Sequence, residues 1–383
     1  MRDKNTHKQI LFMHTPMLDS GGYPDGCPFN SRRGGRTLAT IESLGMLDEP
    51  RVRVMAPVAV TRDEALSFHT EAYLDVLEQT SRGEHNFKAL KMGIGTPDCP
   101  VFTDMLNFSL MASGGTLTGA RLLMDGKAGV VFNPHGGFHH AHAASAGGFC
   151  YINDVVIAAK ELVAAGRKVV VLDLDAHHLD GVQDAFYDSD SVTTISLHEN
   201  GKTLFPGTGH ENEQGIGKGK GHSINIPLPV GTFDDIYRYA FVQVVEPLLE
   251  HLAPDVLILE LGMDGLAGDP LAHLNLTNNV YAELLERIIR LNLPILAVGG
   301  GGYNVRDTVR SWALCWSVLS GTAEDDMAMM AGMGGVMLEN TAWFGGLRDR
   351  TLLSHGGYRD EVEKEIKRVV HYLKDTVFPI HGL

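Results

Sequence analysis

The chain has 383 residues, with 32 Lys and Arg against 47 Asp and Glu and a formal charge of −15. An apolar fraction of 44% with 21% charged residues excludes intrinsic disorder, and no apolar run reaches the ~18 residues of a membrane span. The acidic balance disfavours nucleic acid and anionic membrane as partners, and the four scattered cysteines (Cys27, Cys99, Cys150, Cys315), with no CxxC pair and no signal peptide ahead of them, fit a cytoplasmic protein.

In chain order, short runs rich in Val, Ile and Leu predict strands at 9–13, 128–133, 168–175, 192–197, 222–228, 255–261 and 293–298. Between most of them lie segments of helical period, at Asp104–Met124, Ile152–Ala165, Phe233–His251, Asn279–Leu291, Val305–Leu319 and Asp360–Lys374. This alternation predicts a single α/β domain over 1–383, a mostly parallel central sheet with helices on both faces. Its core is expected at about 10–320, with 321–383 packed on it. In such folds ligands bind beyond the carboxyl ends of the strands, so the polar residues after each run are the ones to read.

The histidines point to the same places. Nine of the 18 fall between 135 and 222, where an even spread would put about four. Imidazole titrates near neutrality and ligates metals, so a metal or proton-transfer site is expected there.

At the end of the third run comes DLDAHHLD (173–180). In an extended chain Asp173, Asp175 and His177 share a face, and a carboxylate beside an imidazole suits a divalent metal. For this motif alone, a buried aspartate followed by helix-capping histidines is the better reading. Asp264, past the sixth run, would converge on Asp175 and His177 as a third ligand; on its own it is a turn aspartate. His139 and His140, past the second run, suit general acid–base work, with Asp173 and Asp180 as carboxylates to hold their rings. Four glycines, 299–302, allow close backbone approach, and Tyr303 after them could donate to an oxyanion or simply fill the core.

Together, GGFHHAHAASAGGFCYIND (136–154), VVVLDLDAHHLDGVQDAFY (169–187), ISLHENGKTLFPGTG (195–209), LELGMDGLAGDP (259–270) and GGGGYN (299–304) resemble the zinc-dependent histone deacetylases and their acetoin-utilisation and amidohydrolase relatives of the arginase–deacetylase fold. The resemblance implies zinc ligands at Asp175, His177 and Asp264. It implies active-site histidines at His139 and His140, backed by Asp173 and Asp180, and an oxyanion-stabilising Tyr303. Substrate contacts are implied at Asp98, Gly148, Phe149, Phe205 and Leu271. A buried arginine is implied at Arg33, with Arg32 and Arg36 close in register. One zinc per chain is implied, with a structural potassium held by Asp173, Asp175, His177, Ser196 and Leu197. The implied activity is zinc-dependent hydrolysis of an acetylated amine, either acetyl-lysine or a small molecule such as an acetylpolyamine, by a chain that is open to forming a homo-oligomer.

Three positions depart from the family pattern: Met263 beside the zinc ligand, Cys27 before a proline, and the apolar Leu271 where polyamine-specialised relatives carry a carboxylate. A two-manganese ureohydrolase would need carboxylates at 179 and 266, and both are leucine. A non-catalytic acyl-ligand sensor would lack Tyr303, a ligand or a dyad histidine. Residues 81–98 and 199–222 are the expected rim loops.

Overall fold

The computed structural model describes residues 8–322, 346–352 and 357–383. Its strands are β1 (Gln9–Met13), β2 (Val52–Met55), β3 (Ala128–Asn133), β4 (Val169–Asp173), β5 (Val192–Glu199), β6 (Ser223–Leu228), β7 (Val256–Glu260) and β8 (Ile295–Val298). All pair in parallel in one sheet of order β2-β1-β3-β8-β7-β4-β5-β6. Alternate side chains enter opposite cores, as the period of two requires. Val170, Leu172, Leu257 and Leu259 join one cluster, while Val169, Val171, Val256 and Ile258 join the other. Both faces are covered, which is why these strands read as continuous apolar runs.

The first cluster is closed by α1 (Arg33–Ser43), the segment 234–252, α5 (Asn278–Arg290), α6 (Val305–Ser320) and α7 (Gly357–Thr376); the second by α2 (Met105–Met124), α3 (Asp154–Ala164) and α4 (Asp180–Phe186). The helix expected over Phe233–His251 contains a π turn at Phe241–Val245, just before Pro247. Proline offers no N–H to the ladder, and a wider turn accommodates that loss. Of the expected C-terminal packing, Val362, Ile366, Val369, Leu373 and Val377 are buried in the first cluster, while 323–345 and 353–356 lie outside the described residues.

β2 was not among the expected strands. It is a sheet edge with two exposed side chains, so its sequence, VRVM, carries little burial signal. Proline at 227 is tolerated because β6 is the opposite edge. What positions the site is the register: Asn133, Val298, Glu260, Asp173 and Ser196 lie side by side on five neighbouring strands. The loops after these residues therefore open over one patch.

Candidate active site

Asp175, His177 and Asp264 meet where the loops after β4 and β7 converge. Asp175 Oδ1 and Asp264 Oδ2 lie 3.1 and 2.8 Å from the same atom, His177 Nδ1. All three residues are buried. The outer oxygens are held by backbone: Gly301 N–H donates to Asp175 Oδ2 (2.7 Å) and Ala176 N–H to Asp264 Oδ1 (2.8 Å). Glycine is needed beside them, since a Cβ at Gly301 would stand 2.1 Å from Asp264 Oδ2 and one at Gly262 2.0 Å from Asp175 Oδ2. Burial alone would lower the His177 pKa, but its hydrogen bonds to the two carboxylates push it up to about 10. Asp264 is pushed up to about 7 by burial and by the charge of Asp175. This corner therefore gathers protons where a cation would sit. Two carboxylates and one imidazole are hard and borderline donors suited to a divalent ion with open positions.

Beside it lie two imidazoles, each braced by a carboxylate. His139 Nδ1 is 2.8 Å from Asp173 Oδ2, and His140 Nδ1 is 2.7 Å from Asp180 Oδ1. The two Nε2 atoms face each other at 3.0 Å, a gap that holds one proton, donated by one ring and accepted by the other. Burial works against a charge on His139, but Glu260 and Asp173 outweigh it and hold this ring well above its ordinary value. Burial, reinforced by the charge on His139, lowers His140 to about 4. His139 is thus the proton holder and His140 the neutral ring.

Tyr303 completes the floor. Its ring stands edge-on to His177 with centroids 6.3 Å apart, and its backbone N–H donates to Asp269 Oδ2 (2.8 Å). Burial, with the charges of Asp264 and Asp175, raises the phenol well above its usual value, so it stays an O–H donor. Of the three candidate arginines, Arg32 and Arg36 are exposed and Arg33 is buried. The Arg33 guanidinium donates to the carbonyls of Gly302 (2.8 Å) and Gly300 (2.9 Å) and lies against the rings of Phe29 and Trp312.

The expected substrate residues frame the mouth. Phe205, 47% exposed, lies 4.9 Å from the His140 ring, while the buried Phe149 lies 5.6 Å from Tyr303. Asp98 accepts the N–H of Gly148 on Oδ2 (3.0 Å) and that of Phe149 on its carbonyl (2.9 Å). It thereby fixes a turn in which Phe149 takes a positive φ of 68°. Leu271 is half-buried, and its N–H donates to Asp269 Oδ1 (2.9 Å). Met263 is buried in the first apolar cluster, with its N–H on the Gly301 carbonyl (3.0 Å). Strand register sets Asp173 opposite Ser196, whose Oγ is 2.7 Å from His198 Nδ1.

Several functional neighbours escaped the sequence reading. Asp269 ties both Leu271 and Tyr303, yet in sequence it is one residue of a Gly-rich turn. Glu260 Oε1 lies 3.1 Å from His139 Nδ1, but within an apolar run it reads as a strand residue. Asp154 accepts the N–H groups of Gly137 (3.0 Å) and Phe138 (2.8 Å), which orients the loop carrying the dyad.

The sequence model of the histone deacetylase domain matches residues 27–319. The chain belongs to the histone deacetylase family. It is 38% identical over 279 residues to histone deacetylase clr6 of Schizosaccharomyces pombe, covering 72% of this chain and 68% of that protein. It is 35% identical over 325 residues to histone deacetylase 8 of Danio rerio, covering 84% and 83%. Two solved structures, an HDAC homolog from Aquifex aeolicus and an HDAC homolog complexed with SAHA, each superpose with a TM-score of 0.83 at 32% identity, over 96% of this chain and 100% of theirs. As a member of this family the chain is a hydrolase acting on acetylated amines.

Proposed function

We propose that the chain is a one-zinc deacetylase of acetyl-lysine in proteins or peptides, with Asp175, His177 and Asp264 as the metal's ligands. The observation that carries this is the meeting of two carboxylates on one imidazole nitrogen beside the dyad and Tyr303. Bound zinc supplies Lewis acidity that polarises an acetyl carbonyl and acidifies the attacking water. The protein does the rest. Neutral His140, its Nδ1–H on Asp180, takes a proton from the attacking water at Nε2 as the hydrogen bond it accepts there from His139 gives way. His139, held above its ordinary value by Glu260 and Asp173, steadies the negative charge that develops, and His140 passes the proton it took from the water to the leaving amine. Tyr303 donates its O–H to the former carbonyl oxygen. Phe149 and Phe205 flank the acyl-lysine stem, and Asp98 holds the turn that presents Phe149. Backbone oxygens of Asp173, Asp175, His177 and Leu197, with Ser196 Oγ, would bind potassium behind the corner.

The one-metal reading is supported at the two positions where a second metal would need carboxylates. Leu179 and Leu266 are both buried in the apolar clusters. The apolar Leu271 at the mouth favours lysine substrates over cationic polyamines. The test is a substrate panel on purified protein, stripped with chelator and reloaded. Zinc at one per chain should restore hydrolysis of an acetyl-lysine peptide in preference to an acetylated polyamine. Two manganese per chain, or preference for the polyamine, would overturn the reading.

A further inference from the structure

His142 has no role in the mechanism above, yet it faces two carboxylates on α4. Its Nε2 lies 3.3 Å from Asp180 Oδ2 and its Nδ1 lies 3.0 Å from Asp184 Oδ2. Asp180 and Asp184 are four residues apart, so they share one face of the helix. The other oxygen of Asp180, Oδ1, is the one 2.7 Å from His140 Nδ1, and it also accepts the Gly181 N–H (2.9 Å). A carboxylate torsion is broad and nearly two-fold, so without a tether on its second oxygen as well Asp180 could turn its plane away from His140. His142 is that tether, and its own loop is fixed. Its N–H donates to the Ser145 carbonyl (2.9 Å), the Ala141 carbonyl accepts from Asn153 Nδ2 (2.8 Å), and the Ala143 carbonyl accepts the Thr70 N–H (2.8 Å).

Only the imidazolium can present N–H to both carboxylates; either neutral tautomer sets a lone pair against an oxygen. Hydrogen bonds to Asp180 and then Asp184 push the His142 pKa up to about 10, which agrees with that geometry. Asp184 is 63% exposed at its side chain and Asp180 14%, so the outer carboxylate anchors the cation while the inner one is held in place by it.

We propose that His142 is a positioning residue for deacetylation, a cation bridging Asp184 and Asp180 that fixes the Asp180 carboxylate on His140. This rests on the reading that His140 moves the proton. The test measures kcat, KM, zinc content and Tm for His142→Leu, His142→Lys, Asp184→Asn and His140→Ala, using an acetyl-lysine peptide. His142→Leu should lower kcat roughly tenfold, the low end for residues that orient a functional group from behind. Its KM, zinc and Tm should stay unchanged. Lysine can reach the same carboxylates with a cation, so His142→Lys should recover most of the loss. Asp184→Asn should fall between them. Wild-type kcat in His142→Leu, alongside an inactive His140→Ala, would overturn the proposal alone. So would a His142→Lys variant no better than leucine, or a loss carried by KM or zinc content. An active His140→Ala would instead remove the proton-transfer reading beneath it.

Discussion

Two clusters in this molecule are built from the same two residue types, His and Asp, and differ in what makes a metal site. Asp175, His177 and Asp264 form one; His14, Asp19 and His135 form the other, and each brings three donor atoms within 4.8 Å. In the first, both carboxylates address one nitrogen of His177, so a single point lies within reach of all three. In the second, His14 is strung between its partners: Nδ1 is 3.2 Å from His135 Nε2, while Nε2 is 3.3 Å from Asp19 Oδ2. Those contacts sit on different atoms of one ring, which makes a hydrogen-bonded chain and not a chelate. Protonation follows the same divide. His177 is pushed up to about 10 by its carboxylates, whereas burial, with the charges of His14 and Arg33, pushes His135 down to about 3. Burial also lowers His14, against the pull of Asp19. Convergence of lone pairs, more than residue type, separates a cation site from a neutral network.

The comparison breaks most simply at one carboxylate from each cluster. Asp264→Asn should lose zinc and lower turnover by more than roughly 10³-fold, beyond what a single oxyanion donor is worth. Asp19→Asn should keep one zinc per chain and stay within about threefold of wild-type activity, in line with its half-exposed place at the end of the chain. Metal analysis with peptide kinetics decides between them. Loss of zinc from Asp19→Asn would mean that the second cluster ligates after all.

A smaller effect separates holding the metal from doing chemistry beside it. Tyr303→Phe removes one O–H while leaving every ligand in place, so zinc should remain at one per chain. Turnover should fall roughly 10²–10³-fold, the usual cost of an oxyanion donor. Unchanged turnover would end the oxyanion role.

What was legible in the sequence follows from the same geometry. The central strands read clearly because both their faces are buried, and the residues just after them became site candidates because parallel strands end on one side. Asp175, His177 and Asp264 belong to that class. The nine histidines marked the region, but the concentration itself misled: two of the three candidate ligands are aspartates, and His135 belongs to the hydrogen-bonded chain with His14. His142, Glu260 and Asp269 were illegible for a shared reason, that each acts on a group far away in sequence. His142 meets α4 some 38 residues on. Glu260, at the end of β7, reaches His139 in the loop after β3, and Asp269 reaches the backbone of Tyr303 34 residues later. Only the packed sheet brings these pairs together. The choice among Arg32, Arg33 and Arg36 was open for the same reason, since helix phase alone does not say which turn faces the glycine loop.

The smallest expected effect tests whether the second cluster is a neutral chain. His135 is buried, and its folded pKa of about 3 lies below the ordinary value of 6.5. Folding therefore excludes a proton that the unfolded chain accepts. The contribution of His135 is fully present above pH 6.5 and is lost as pH falls towards 3, because the unfolded state gains the proton first. The groups facing this ring are His14 and the Arg33 guanidinium, which disfavour its protonation, with Asp19 beyond His14. One such proton makes stability fall by about 1.4 kcal/mol per pH unit. Urea denaturation between pH 6 and 4.5, with zinc present throughout, should show that slope reduced by about this amount in His135→Gln. Glutamine keeps an amide near His14 but has no proton to gain. An unchanged slope would mean that His135 titrates normally in the folded state, and the two clusters would then no longer differ in charge. A slope that flattens in His135→Gln without loss of zinc or of turnover would establish that His135 stabilises the fold by staying neutral, while His177 in the metal corner works beside charge.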